Sequence, residues 1–266
     1  MSAVSDRLDA IRAEGRAALI GYLPVGFPTV ERSARAMVAM VEAGVDIVEV
    51  GMPYSDPVMD GPTIQAAAER ALEGGTRVAD TFTAVRAVVD AGAPAVVMTY
   101  YNPMLQYGIE CFAEDLAEVG GSGVITPDLT PDAASLWLDA ARPRDLDTIF
   151  LVAPSSTPER LHMTVSQTTG FVYAASLMGV TGERASVGGG AEALVAATRA
   201  AGAPRVCVGL GVSTGVQAAD VARFADGVIV GSALVRCLLE HENEDEALDA
   251  LRVKTAELAR GVRGQA

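Results

Sequence analysis

Short apolar runs alternate with amphipathic stretches along the whole chain. The runs are rich in Val, Ile and other β-formers, which indicates strands buried on both faces. Eight are present, at 17–29, 46–51, 95–103, 123–128, 147–154, 171–176, 206–211 and 227–233. Between them, apolar residues at helical spacing predict helices at 30–43, 63–74, 79–91, 108–119, 131–141, 157–167, 191–202 and 213–224, and a final helical region to about residue 260.

This alternation predicts a parallel α/β fold. Eight strand–helix units in 266 residues are typical of a closed (β/α)8 TIM barrel. The spacing of Val4, Leu8 and Ile11 predicts an extra N-terminal helix before the first strand. No linker divides the chain, so we expect residues 1–266 to form a single barrel domain. An open doubly wound sheet is the alternative, but the first strand is not followed by the G-x-G-x-x-G sequence of dinucleotide-binding sheets.

Composition narrows the range of partners. The 20 basic and 34 acidic side chains give a net charge of −14, which argues against nucleic acid and anionic membranes as partners. No apolar run is long enough to span a membrane, and the N-terminus lacks a signal-peptide core, so we expect a cytoplasmic protein. The three cysteines and two histidines match no metal-ligand spacing, and we expect the cysteines to be small buried or semi-buried apolar residues.

Two carboxylates in the stretch 46–65 are candidates for acid/base chemistry. Glu49 lies inside an apolar run, where a charged side chain is costly unless it is paired or protonated. Asp60 lies eleven residues further on, beside a Gly-Pro turn. The end of a barrel strand is where such folds carry their chemistry. A structural ion pair for Glu49 and a turn-stabilising role for Asp60 are the alternatives.

Glycine-rich turns follow the last three predicted strands. They are Gly179–Gly182, Gly209–Ser213 and Gly231–Ala233. In barrels, the loops after the seventh and eighth strands commonly bind phosphate through backbone N–H groups. A single such turn could simply reverse the chain, but three at one end of the barrel favour a phosphate site.

Several apolar and aromatic residues lie at or just beyond the strand ends: Tyr22, Ile64, Met98, Tyr100 and Tyr173. Each alone is compatible with ordinary core packing. Together with two acids and a phosphate site, they indicate a flat apolar ligand that carries a phosphorylated tail. Asp128, at the end of the fourth strand, is compatible with either a site or a structural role.

The chain resembles the α subunits of tryptophan synthase. The stretch EVGMPYSDPVMDGPTIQ (49–65) is similar to the signature of that family. The similarity continues in GYLPVGFPT (21–29), MTYYNP (98–103), GVITPDL (123–129), FVYAASLMGVTG (171–182), GLGVS (209–213) and DGVIVGSA (226–233). It therefore extends over nearly the whole chain.

The resemblance implies a lyase that cleaves indole-3-glycerol phosphate to indole and glyceraldehyde 3-phosphate. Glu49 and Asp60 match the two catalytic acid/base residues of the family. The implied phosphate-binding residues are Gly182, Gly211, Gly231 and Ser232, and the implied indole pocket and closing loop contain Tyr22, Ile64, Met98, Tyr173 and Thr181. Tyr100 and Asp128 are further substrate-binding candidates.

The resemblance also implies a partner. Such α subunits bind a pyridoxal-phosphate-dependent β subunit in an αββα heterotetramer, and no cofactor or metal is expected in this chain. Loop 53–60, Asn102-Pro103 and Asp128–Pro131 resemble the docking surface. Three other functions are open at this stage: a stand-alone lyase, another phosphosugar barrel enzyme, or a non-catalytic regulatory partner of a β subunit.

Overall fold

The computed structural model describes residues 2–175, 189–209 and 211–265. Strands and helices alternate through these ranges. The strands are β1 (Ala18–Pro24), β2 (Ile47–Gly51), β3 (Ala95–Met98), β4 (Gly123–Ile125), β5 (Asp147–Ile149), β6 (Leu151–Val152), β7 (Val172–Ala175), β8 (Val206–Gly209) and β9 (Gly227–Val230). The helices are α1 (Ala3–Ala13), α2 (Val30–Glu42), α3 (Pro62–Glu73), α4 (Asp80–Asp90), α5 (Tyr101–Tyr107), α6 (Ile109–Glu118), α7 (Ser135–Ala141), α8 (Pro158–Gln167), α9 (Gly189–Ala200), α10 (Gly215–Ala222), α11 (Ser232–Leu239) and α12 (Glu244–Val262).

The described strands form one parallel sheet that closes into a barrel. Their order is β5-β4-β3-β2-β1-β9-β8-β7-β6. The two outer strands, β5 and β6, are consecutive pieces of one extended segment interrupted at Phe150, whose carbonyl oxygen accepts a hydrogen bond from the Tyr173 amide at 3.1 Å. β5 pairs with β4 and β6 pairs with β7, so this segment joins the two sides of the sheet. The (β/α)8 barrel expected from the sequence is confirmed.

Two hydrophobic layers hold the barrel together. The larger lies between the sheet and the surrounding helices, and the smaller fills the interior of the barrel. Helix α1 contributes Val4, Leu8 and Ile11 to the interior layer, and each of these side chains is at most 1% exposed. The predicted N-terminal helix is therefore a plug at the N-terminal end of the strands, opposite the end that carries the candidate site.

Polar contacts fasten α1 in this position. Side chains of α1 and of its N-cap residue, Ser2, bind residues that lie at or just before the start of a strand. The pairs are Arg7–Asp46, Arg12–Asp226, Asp9–Arg205 and Ser2–Asp147. Because Asp46 and Asp226 are almost completely buried, their charges require these guanidinium partners. The same contacts fix the orientation of α1 relative to the barrel.

Several observed elements, and the exposure of one cysteine, differ from what the sequence predicts. The third strand was predicted to reach residue 103, but α5 begins at Tyr101 because the Asp128 carboxylate accepts hydrogen bonds from the Tyr101 amide at 3.0 and 3.2 Å. The final helical region is two helices, because Asn243 caps the start of α12 with its side chain. Cys111 is exposed, which contradicts its predicted burial, whereas Cys207 is buried. Within the described residues, no helix has the length and apolarity to cross a membrane.

Candidate active site

Glu49 points into the C-terminal end of the barrel from β2. Its side chain is 2% exposed, and its Cα is level with that of Tyr22 on the neighbouring strand β1. The carboxyl oxygen Oε2 is buried and has no hydrogen-bond partner within the described part of the chain. Burial, and then the nearby charge of Asp60, raise the pKa of Glu49 to about 8. This carboxyl group is therefore protonated at neutral pH and has a free oxygen to offer a ligand.

Asp60 approaches the same space from the loop between β2 and α3. Burial raises its pKa to about 6, although a hydrogen bond from the Tyr100 hydroxyl opposes that rise. Two contacts fix the backbone of the loop: the Met59 amide donates to the Tyr100 hydroxyl oxygen at 3.0 Å, and Gln65 Nε2 donates to the Asp60 carbonyl oxygen at 2.7 Å. Near neutral pH, Asp60 is thus mostly an anion beside a neutral Glu49.

Two phenol side chains lie near the acids. Tyr22 and Tyr173 both have pKa values raised well above that of free tyrosine, by burial first and then by the charges of Glu49 and Asp60. Each ring lies directly on a glycine of a neighbouring strand. A Cβ atom at Gly51 would lie 2.4 Å from the Tyr22 ring, and one at Gly209 would lie 2.3 Å from the Tyr173 hydroxyl oxygen. These two glycines leave room for the rings beside the acids.

The turn after β9 meets the apolar side of this space. A Cβ atom at Gly231 would lie 3.3 Å from Cδ1 of Tyr22 and 3.6 Å from Cδ1 of Ile64. Gly231 is the N-cap of α11 and supplies no capping side chain, so the first amides of the helix, at Ser232 and the next residue, are available to an anion. The backbone dipoles of α11 add positive potential at the same point. This turn can hold a phosphate group without a lysine or an arginine.

The remaining predicted site residues have different positions. Met98 lies on β3 level with Gly51 and contacts the interior layer of the barrel, near the acids. Gly211 follows β8 with a left-handed φ of +68°, which glycine adopts without strain. Asp128 is exposed, and its carboxylate accepts a hydrogen bond from the Tyr101 amide. This contact gives Asp128 a structural role as the cap of α5. Its substrate-binding role stays a prediction, and Thr181 and Gly182 lie outside the described residues.

Sequence reasoning did not single out Gly51 or Gln65, and it included Gly209 only as the start of a glycine-rich turn. The two glycines each end a strand, and that position was the only available signal for their close contact with an aromatic ring. Nothing in the pattern of the sequence pointed to Gln65, whose amide reaches back five residues to the Asp60 carbonyl group. Among the described residues, no group of three or more His, Cys, Asp or Glu side chains could hold a metal ion.

Comparison with known proteins identifies the family. The profile of the tryptophan synthase alpha chain family matches residues 8–263. The tryptophan synthase alpha chain of Mycobacterium marinum is 60% identical over 255 residues, which cover 96% of this chain and 93% of that protein. The alpha chain of Salinispora tropica is 59% identical over 99% of this chain and 98% of its own length. The chain belongs to the tryptophan synthase alpha chain family.

Solved structures agree with this assignment to the alpha chains. A chain in the structure of Mycobacterium tuberculosis tryptophan synthase superimposes with a TM-score of 0.92 at 57% identity, and the match covers 98% of both chains. A structure from Aquifex aeolicus, only 34% identical, still gives a TM-score of 0.89 over 98% of this chain. The function implied by the resemblance is confirmed: this alpha chain is a lyase that cleaves indole-3-glycerol phosphate in tryptophan biosynthesis.

Proposed function

We propose that Glu49 and Asp60 carry out the cleavage of indole-3-glycerol phosphate to indole and glyceraldehyde 3-phosphate. The observation that supports this most is the buried Oε2 atom of Glu49, which has no partner within the described part of the chain and faces the charge of Asp60. A buried polar atom without a partner costs free energy. A substrate that supplies the partner would recover that cost.

Glu49 acts twice in the proposed reaction. Its carboxyl proton is transferred to C3 of the indole ring, which places a positive charge on the ring nitrogen and makes C3 a good leaving group. The Glu49 carboxylate then removes the hydroxyl proton from the adjacent carbon of the glycerol chain. A carbonyl group forms there, the carbon–carbon bond breaks, and its electron pair returns to the indole ring. Glu49 ends the cycle protonated, and its raised pKa suits both steps.

Asp60 has the complementary role. A carboxylate near the indole N–H group stabilises the positive charge that develops on the ring nitrogen. The pKa of Asp60, at about 6, keeps it anionic at neutral pH, when Glu49 is neutral. Two neighbouring carboxyl groups with separated pKa values can thus act as an acid and as an electrostatic stabiliser in one site.

The other candidates position the substrate. Tyr22, Ile64, Met98 and Tyr173 provide an apolar surface for the indole ring, and the α11 N-terminus with Gly231 and Ser232 holds the phosphate group. Gly211, in the neighbouring turn after β8, contributes its backbone to the same phosphate site. Tyr22 and Ile64 both approach Gly231, so the ring site and the phosphate site adjoin, as the shape of this substrate requires.

A β subunit is the proposed partner, and it would hold the pyridoxal phosphate. The segments proposed to dock it follow β2, β3 and β4, so they lie at the C-terminal end of the barrel. Val58, in loop 53–60, is 69% exposed, and the Asn102 side chain donates to the Tyr54 hydroxyl oxygen at 3.3 Å. We add Leu105 to this surface, because it lies three residues after Asn102 on α5 and is 43% exposed. Exposed apolar residues beside a catalytic loop favour a protein partner that acts on that loop. An αββα assembly, a cytoplasmic location and a single domain over 1–266 remain predictions.

The test is indole release from indole-3-glycerol phosphate, with and without added β subunit. We expect slow release by the isolated chain and a faster rate in the complex. High activity that a β subunit does not change would favour a stand-alone lyase. Binding to the β subunit without turnover would favour a regulatory partner, and failure to cleave this substrate at all would favour another phosphosugar enzyme.

A further inference from the structure

Two side chains of α12 bind the turn that carries Gly211. Lys254 of α12 donates from Nζ to the Ser213 carbonyl oxygen at 3.2 Å, and Glu257 accepts the Gly215 amide at Oε1 at 2.9 Å. The two side chains also bind each other, with 2.7 Å between Lys254 Nζ and Glu257 Oε2. This one ion pair therefore holds both a carbonyl group and an amide of the same turn.

The base of the turn also packs on α12 without side chains between them. A Cβ atom at Gly261 would lie 2.1 Å from the Gly215 carbonyl oxygen, and one at Gly215 would lie 2.8 Å from the Glu257 carbonyl oxygen. Backbone lies directly on backbone at this point, so α12 is a fixed support for the turn. Small movements of the turn relative to α12 are restricted at Ser213 and at Gly215.

Three consecutive amides at the end of the turn already have partners within the chain. Gln217 Oε1 accepts the Ser213 amide at 2.8 Å and the Thr214 amide at 3.2 Å, and Glu257 accepts the Gly215 amide. These three N–H groups are not free to bind a phosphate group. The contribution of this turn to phosphate binding thus depends on the position of Gly211, two residues before Ser213.

We propose that Lys254 is a positioning residue for the phosphate end of the substrate. It orients the Ser213 peptide and so fixes where the Gly211 backbone faces the phosphate group. Lys254 is the only lysine in the sequence, and its Nζ is already bonded to Ser213 and Glu257, so it acts through the turn and not by contact with phosphate. The proposal rests on the proposed function, because the phosphate role of Gly211 is part of that proposal.

The test compares K254M with R252M. Arg252 forms an ion pair with Asp249 on the same helix, with the same three-residue spacing and a distance of 3.3 Å. Both side chains of this pair are exposed. We expect K254M to raise the KM for indole-3-glycerol phosphate at least about fivefold while kcat stays within about twofold, a pattern that indicates lost ground-state binding. The inhibition constant of glycerol 3-phosphate should rise by the same factor, and the affinity for free indole, which has no phosphate, should not change. R252M should behave as wild type, and K254R should restore most of the lost affinity.

An unchanged KM and an unchanged inhibition constant in K254M would overturn the proposal, as would a loss of kcat without a change in KM. If the wild-type chain failed to cleave the substrate, the proposed function would be at fault instead. If K254M does not fold, acylation of the lysine in the folded wild-type protein replaces it. K254R is the control for this experiment. It has no lysine, so any change in its KM after acylation comes from reaction at the N-terminal amine. Acylated wild type must show the same rise in KM, and an unchanged KM would again refute the role of Lys254.

Discussion

At the scale of single residues, the buried carboxyl group of Glu49 links stability to pH. Its pKa is near the ordinary value of 4.5 in the unfolded chain and about 8 in the folded chain. The folded state therefore holds the proton more tightly. The stabilisation is complete below pH 4.5 and is lost as the pH rises through about 8. This loss of stability falls on the residue to which we assign the acid/base chemistry.

We predict that E49Q removes this pH dependence. Between pH 5 and 8, the free energy of unfolding of the wild type should fall relative to that of E49Q by up to about 4 kcal/mol, since each pH unit is worth about 1.4 kcal/mol. Urea unfolding at several pH values measures the difference. Indole release by folded E49Q should fall by at least about a hundredfold, because the titrating group is lost while the shape is kept. Parallel stability curves for the two proteins would show that Glu49 is not buried as described.

A second prediction concerns the pH dependence of the rate. The proposed reaction needs Asp60 charged and Glu49 protonated in the free enzyme, so kcat/KM should be highest between about pH 6 and about pH 8. D60N should remove the decline on the acid side and should lower the maximum at least about tenfold. Indole release measured over this pH range provides the test. An unchanged acid side in D60N would assign Asp60 to the turn alone.

At the scale of elements, α1 should contribute to stability without contributing to the reaction. Leu8 is 1% exposed inside the N-terminal end of the barrel. We predict that L8A lowers the free energy of unfolding by about 2–5 kcal/mol, through lost burial and the cavity that remains. Below its melting temperature, L8A should release indole at the wild-type rate, because the acids lie at the other end of the strands.

Leu136 provides the control, because its side chain is 60% exposed. L136A should change the free energy of unfolding by no more than about 0.5 kcal/mol. Denaturant unfolding followed by circular dichroism compares the two variants. If L8A were as stable as L136A, α1 would not be the plug described above.

The sequence predicted those elements that depend on local pattern. The helix from Val30 was expected to end at 43 and ends at Glu42, because both its apolar spacing and its Thr29 cap are local. The start of α5 at Tyr101 was not predictable, because its cap is Asp128, 27 residues away. Glu49 was predicted because a charge within an apolar run is conspicuous. The contact between Lys254 and Ser213 joins residues 41 apart, and no pattern in the sequence marks it.

At the scale of the whole molecule, the opening of the barrel is also the proposed docking surface. We predict that L105E weakens binding of the β subunit at least about tenfold, because it places a charge on an exposed apolar residue of α5. Indole release by the isolated chain should not change. V253E, at a residue that is 71% exposed on α12, should bind the β subunit as wild type does.

Titration of a labelled β subunit with each variant measures these affinities. Equal affinity of L105E and wild type would place the docking surface elsewhere. Equal weakening by V253E would show that added negative charge, on a chain of net charge −14, is the cause and not the position of the substitution.

The plug also bears on how the chain can reach its native state during synthesis. Three of the four partners of α1 lie 145, 196 and 214 residues away from it in the sequence. Helix α1 is translated before these partners, and before residue 226 has been made it cannot complete its contacts. A short isolated helix is marginal in water. Although it is translated before all nine strands, α1 is therefore among the last elements to acquire its final surroundings. A nascent chain halted before β8 would have an open barrel with Leu8 and Ile11 exposed to chaperones.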